Sequence, residues 1–130
     1  MTRTRLPRLR EQAATRSLNE GSSRKTRVEV TAMTVRVLMK RVVRDEDRSV
    51  LQEKLRDLRR LALRSPGYIS GETLFSVDQP GACLVISTWI SLGAWRAYDN
   101  NPERMSLLDE IGKLLLEPQE TTIWIMEGEH

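Results

Sequence analysis

Two periodicities alternate along this chain, and their order leaves few folds open. Leu51, Leu55, Leu58 and Ala62 recur at helical spacing, joined by Val50 and Leu61. That predicts a long amphipathic helix over Glu46–Arg64. Before it, Val35–Val43 alternates with period two: Val35, Val37 and Met39 share one face, and Arg36, Leu38 and Lys40 the other. Asp45 is placed to cap the helix, with Glu46 and Asp47 at its positive end. Ser65-Pro66-Gly67 ends it, because a proline disfavours helix in the residue before it. Tyr68–Val77 and Ala82–Ile90 then read as two strands of a hairpin. Between them, Pro80 and Gly81 suit the central positions of a type II turn. Ser91 caps a short helix carrying Leu92, Trp95 and Tyr98, and Asn101-Pro102 starts another with Leu107, Ile111 and Leu114 on one face. Pro118 closes it, and Thr121–Met126 alternates again as the last strand.

The predicted order is β-α-β-β-α-β, with the second helical region broken in two. This is the split βαβ, ferredoxin-like α+β arrangement: a four-stranded antiparallel sheet with helices on one face. Leu38 and Val42 lie opposite Val37 and Met39, and Leu84 and Ile86 lie opposite Val85 and Trp89, so strands are apolar on both faces. A bare apolar face on so small a domain predicts a partner, and two sheets stacked in a twofold homodimer would cover it.

The charge is unevenly spread. Residues 1–30 carry eight Lys/Arg against three Glu, while residues 31–130 carry thirteen Lys/Arg against fifteen Asp/Glu. Residues 1–31 are therefore read as a basic, disordered tail, and 32–130 as the domain. The tail has three open readings: an inert extension from an upstream start codon, an arm for nucleic acid or an anionic surface, or an organellar address. The slightly acidic domain lacks the basic aromatic sheet of RNA binders, so nucleic acid is not its expected ligand. One cysteine, Cys83, excludes an intrachain disulfide and fits a reducing, cytoplasmic setting. The single histidine is His130, so His/Cys metal sites and histidine-based triads are not expected. No apolar run reaches the roughly 18 residues of a membrane span.

Two stretches carry a family likeness. Residues 65–74 run Ser-Pro-Gly-Tyr-Ile-Ser-Gly-Glu-Thr-Leu, and Trp89, Ser91 and Trp95 stand in a W-x-S-x-x-x-W strand-to-helix junction. They resemble the antibiotic biosynthesis monooxygenase family, over Met33 to about Glu127. The resemblance implies a dimeric α/β barrel. It also implies either cofactor-free oxidation of polycyclic phenols or haem degradation. The haem-degrading branch uses an asparagine on the first strand and a helical histidine, and this chain has neither, so haem is disfavoured and no cofactor is expected.

The implied activity is a cofactor-independent monooxygenase acting on an aromatic or quinol-like small molecule. The alternative is a non-catalytic, small-molecule-binding or stress-related dimeric module. An electron-rich phenolate can itself reduce O₂, so such a site needs an apolar, aromatic-lined pocket with few polar groups. Tyr68, Trp89, Trp95, Tyr98 and Asn100 are the pocket candidates, and Tyr98, Arg41 and Arg96 the catalytic ones. Each has a plainer reading. Trp89 and Trp95 fit core packing, Tyr68 pins a turn, and Arg41, near the end of its strand, fits a solvated or ion-paired side chain.

Overall fold

The computed structural model describes residues 33–126; the expectations for the tail, Glu127 and His130 lie outside them. Strand β1 (Val35–Val42) leads through a single 3-10 turn, Asp45–Asp47, into helix α1 (Arg48–Leu63). Strands β2 (Tyr68–Phe75) and β3 (Ala82–Trp89) follow, then α2 (Leu92–Asp99), α3 (Pro102–Gly112) and β4 (Glu120–Ile125). The sheet order is β2-β3-β1-β4, antiparallel throughout, as a ferredoxin-like α+β fold requires.

Capping follows the sequence at two of the three helices. The Ser91 hydroxyl accepts from the Ala94 N–H (3.1 Å). Asn101 Oδ1 accepts from the N–H groups of Glu103 (2.7 Å) and Arg104 (3.3 Å), with Pro102 in the first turn. At α1 the expectation fails. Asp45 enters the 3-10 turn instead, and Asp47 occupies the cap position without a side-chain cap bond. The Asp47 carboxylate accepts from Arg44 Nε (3.2 Å), which diverts it from the helix end.

The hairpin turn also differs. Ala82 N–H donates to Gln79 O (2.9 Å), so Pro80 and Gly81 are central as expected. Among the described glycines only Gly67 has a positive φ, so this is not a type II turn. Glycine is needed at 81 for proximity: its carbonyl accepts from Val43 N–H (2.9 Å), and a Cβ there would strike the Val43 carbonyl oxygen. Strand β2 stops at Phe75 rather than Val77 because the Ser76 hydroxyl takes the N–H groups of Asp78 (3.2 Å) and Gln79 (3.0 Å), turning the chain.

One irregularity sets up the site. Tyr68 pairs with Trp89, but Ser70 pairs with Thr88, so Ile69 is an extra residue in the ladder. The bulge changes the phase of β2. Tyr68, Gly71 and Thr73 thereby share the helix-facing side with Trp89, Ser87 and Val85.

The core beneath the helices has two halves. One gathers Val35, Val37, Met39, Leu61, Ala62, Trp89, Trp95 and Tyr98. The other gathers Val43, Leu51, Leu55, Leu58, Cys83 and Ile111. The opposite sheet face carries half-buried Leu38, Leu84 and Ile86 and the 55% exposed Trp124.

Candidate active site

A narrow cleft, open to solvent on one side, lies between α1 and the helix-facing side of the sheet. Its back wall is aromatic because strand parity turns Trp89 inward, where it is fully buried. The Tyr98 ring stacks on Trp89 with centroids 4.8 Å apart, and Tyr68 meets it edge-on at 5.2 Å. Two of the polar tips are satisfied: Trp89 Nε1 donates to Ser87 Oγ (3.0 Å) and Tyr98 Oη to Leu58 O (3.1 Å). Burial pushes the Tyr98 phenol up, against a partial opposing pull from Arg104, so it stays protonated at neutral pH.

Arg41 corrects the plainer reading given above. It is not solvated; it is 1% exposed and lines the cleft. The cause is parity: Val35, Val37, Met39 and Arg41 occupy alternate positions of one strand, and the helices cover that face. Arg41 Nε donates to Gln119 Oε1 (2.9 Å) and Nη2 to Met39 Sδ (3.3 Å). Among the described residues no carboxylate oxygen lies within 4.0 Å of it. Burial first, and the neighbouring Arg104 charge second, lower its pKa to about 10.

Arg104, which sequence reasoning missed, is the second buried guanidinium, 2% exposed. Its Nε donates to Asp99 Oδ1 (3.1 Å) and its Nη2 points at Met39 Sδ (3.7 Å). Its Cζ lies 4.6 Å from the Tyr98 ring centroid and 5.1 Å from that of Trp95. A signal existed: Arg104 stands seven residues before Ile111, on the same helical stripe.

Of the pocket and catalytic candidates, Tyr68, Trp89, Tyr98 and Arg41 line the cleft. Three others do not. Trp95 sits behind the wall, edge-on to Trp89 at 5.9 Å, because the α2 stripe buries it in the core. Arg96 and Asn100 are exposed, since helical phase turns them away from Trp95 and Tyr98; the Asn100 amide donates to Arg96 O (2.8 Å). Among the described residues no group of three or more His, Cys, Asp or Glu side chains could hold a metal ion. Burial pushes the Cys83 thiol up, away from the reactive thiolate. No described helix is long and apolar enough to cross a membrane.

The arrangement gathers an aromatic wall and two buried guanidiniums around one cleft. Known proteins share this fold. The sequence pattern of the antibiotic biosynthesis monooxygenases matches residues 33–105. A putative antibiotic biosynthesis monooxygenase from Nitrosomonas europaea superposes with a TM-score of 0.69 at 15% identity, over 75% of this chain and 94% of that one. SnoaB, a cofactor-independent oxygenase from Streptomyces nogalater, gives 0.65 at 15% identity, over 74% and 95%. Rv0793 from Mycobacterium tuberculosis gives 0.67 at 22%, over 74% and 97%. At these identities the likeness is one of fold. No curated protein matches the chain in sequence.

Proposed function

The chain belongs to the antibiotic biosynthesis monooxygenase family, and from that we propose that it is a cofactor-independent monooxygenase acting on an aromatic or quinol-like small molecule. The observation that carries the reading is the cleft, where an aromatic wall of Trp89, Tyr98 and Tyr68 faces a buried arginine without a carboxylate partner among the described residues. A phenol bound there loses its proton to solvent, and the charge on Arg41 stabilises the phenolate. Arg41 holds its proton at neutral pH and serves as a fixed charge rather than a base. The desolvated, electron-rich phenolate then reduces O₂ directly. For an anthrone-like substrate, one oxygen atom becomes the new carbonyl and the other leaves as water with the two hydrogens of the oxidised carbon.

The same reading makes the protein a homodimer in a reducing cytoplasm. Stacking two open sheet faces would bury Leu38, Leu84, Ile86 and Trp124, and a clean monomer in sedimentation at micromolar concentration removes that part. Oxygen uptake with a panel of hydroquinones and anthrone-like phenols, without added cofactor, tests the activity. Uptake that depends on the protein and falls in Arg41→Met is the expected result. One observation favours the non-catalytic alternative: the Tyr98 hydroxyl is already committed to Leu58 O. Silence across the whole panel would make the protein a binding module.

A further inference from the structure

We infer that Arg41 and Arg104 form a receptor for one carboxylate, so that the ligand of this cleft is an aromatic acid whose ring lies in the cleft beside the half-buried Tyr68. The inference uses the same cleft as the monooxygenase reading and deepens it, but does not depend on any oxidation. Both guanidiniums line the cleft and both reach the same sulfur, Met39 Sδ, at 3.3 and 3.7 Å. Their Nη2 atoms are therefore no more than about 7 Å apart. A thioether is a weak acceptor, poorly matched to two charged donors. A carboxylate offers two strong acceptors in the plane that a guanidinium fork favours.

The charges fix the ligand as a monoanion. Asp99 accepts from Arg104 and offsets one positive charge. Arg41 has only the neutral partners Gln119 and Met39 among the described residues, so one buried positive charge is left over. At the mouth, the exposed Arg59 and Glu72 are of opposite sign and offset each other. A neutral ligand would cover Arg41 without answering its charge, which is costly in a desolvated site. An ordinary phenol would have to give up its proton before it could answer that charge. A carboxylic acid arrives already ionised at neutral pH.

Calorimetric titration of the full chain at pH 7 with 2-naphthoate, 2-naphthol and 2-naphthalenemethanol tests this, because the three probes share one ring. The expected result is that 2-naphthoate binds ~10–100-fold more tightly than the alcohol, the range for a hydrogen bond to a charged group. Arg41→Met should remove that preference while retaining the alcohol, and Arg41→Lys should restore part of it. In the wild type the preference should fade below about pH 4 as the acid takes up its proton. Equal binding of naphthoate and alcohol overturns the receptor, as does a cleft that takes up neither at millimolar concentration. A preference that survives Arg41→Met overturns it too. The two readings fail separately: naphthoate selectivity without oxygen uptake leaves the receptor and removes the oxygenase, and uptake without selectivity does the reverse.

Discussion

The two halves of the core lie between the same sheet and the same layer of helices and do opposite things. Around Leu51, Cys83 and Ile111 the packing of the buried cluster is free of aromatic and charged side chains, and α1, α3 and the sheet close on one another, while Leu55 and Leu58 of the same half also form one side of the cleft. Around Trp89, Tyr98 and Met39 it is aromatic, admits two arginines, and opens into a cleft. Aliphatic side chains stabilise by removing area from water, at roughly 25 cal/mol per Å². A buried unpaired guanidinium works against that gain. The difference assigns stability to one half and recognition to the other, with Met39 and Arg41 at the edge of the second.

The largest effect should come from the half that holds the fold together. Leu51 is fully buried on α1. Leu51→Ala should cost about 2–5 kcal/mol in denaturant unfolding, through lost transfer energy and a residual cavity. Binding of the naphthalene probes should survive wherever the variant is folded, since Leu51 does not line the cleft. Loss of probe binding in the folded variant would break the division between the halves.

The next effect has the opposite sign. Arg41→Met replaces a buried charge by an apolar side chain of similar length, and should raise stability by about 1–3 kcal/mol, as such replacements do. For a domain of this size each kcal/mol moves the melting temperature by roughly 4–8 °C. The pH dependence sharpens the test. The folded pKa of Arg41 lies near 10, below the ordinary arginine range. Its charge therefore penalises the native state fully below pH 10, and the penalty is relieved as pH rises above that value. The stability gap between variant and wild type should be constant from pH 6 to 9 and narrow above 10. A variant less stable than wild type would mean that Arg41 has an anionic partner in the protein itself, and that the site is structural.

The aliphatic half was legible in the sequence and the aromatic half only partly so. Leu51, Leu55 and Leu58 announce their helix by spacing alone, and apolar residues at that spacing have one stable use. The order of elements along the chain follows from the alternation of periods, and the caps Ser91 and Asn101 from their side-chain chemistry. The cleft was harder because its key residues contradict their own type. Parity already placed Arg41 with Val35, Val37 and Met39, but arginines are so rarely buried that the residue type overrode the phase. Arg104 was overlooked for the same reason on a helix. Residue type alone makes Trp95 and Asn100 pocket candidates, whereas helical phase sends one into the core and the other to the surface. The bulge at Ile69, which turns Tyr68 and Gly71 toward the cleft, depends on the register with β3, and no local pattern encodes it.

The smallest effect is expected where the two halves touch. Tyr98 belongs to the aromatic wall, yet its hydroxyl donates across to the carbonyl of Leu58, a residue of the aliphatic half. Because burial keeps the phenol protonated, this bond persists through neutral and mildly alkaline pH. Tyr98→Phe removes only the bond and leaves the ring over Trp89, so it should cost about 0.5–1.5 kcal/mol. The sequence alone suggested Tyr98 as a catalytic group. With the hydroxyl occupied by a carbonyl and its pKa raised, the residue is better suited to hold the wall than to move a proton. Quinol oxidation by Tyr98→Phe should then stay within about threefold of wild type, a change of under 1 kcal/mol in the barrier, and probe binding should follow it. A fall of a hundredfold or more, in a variant with unchanged dimerisation and nearly unchanged stability, would place the hydroxyl in the chemistry. It would also mean that the bond to Leu58 opens when substrate enters.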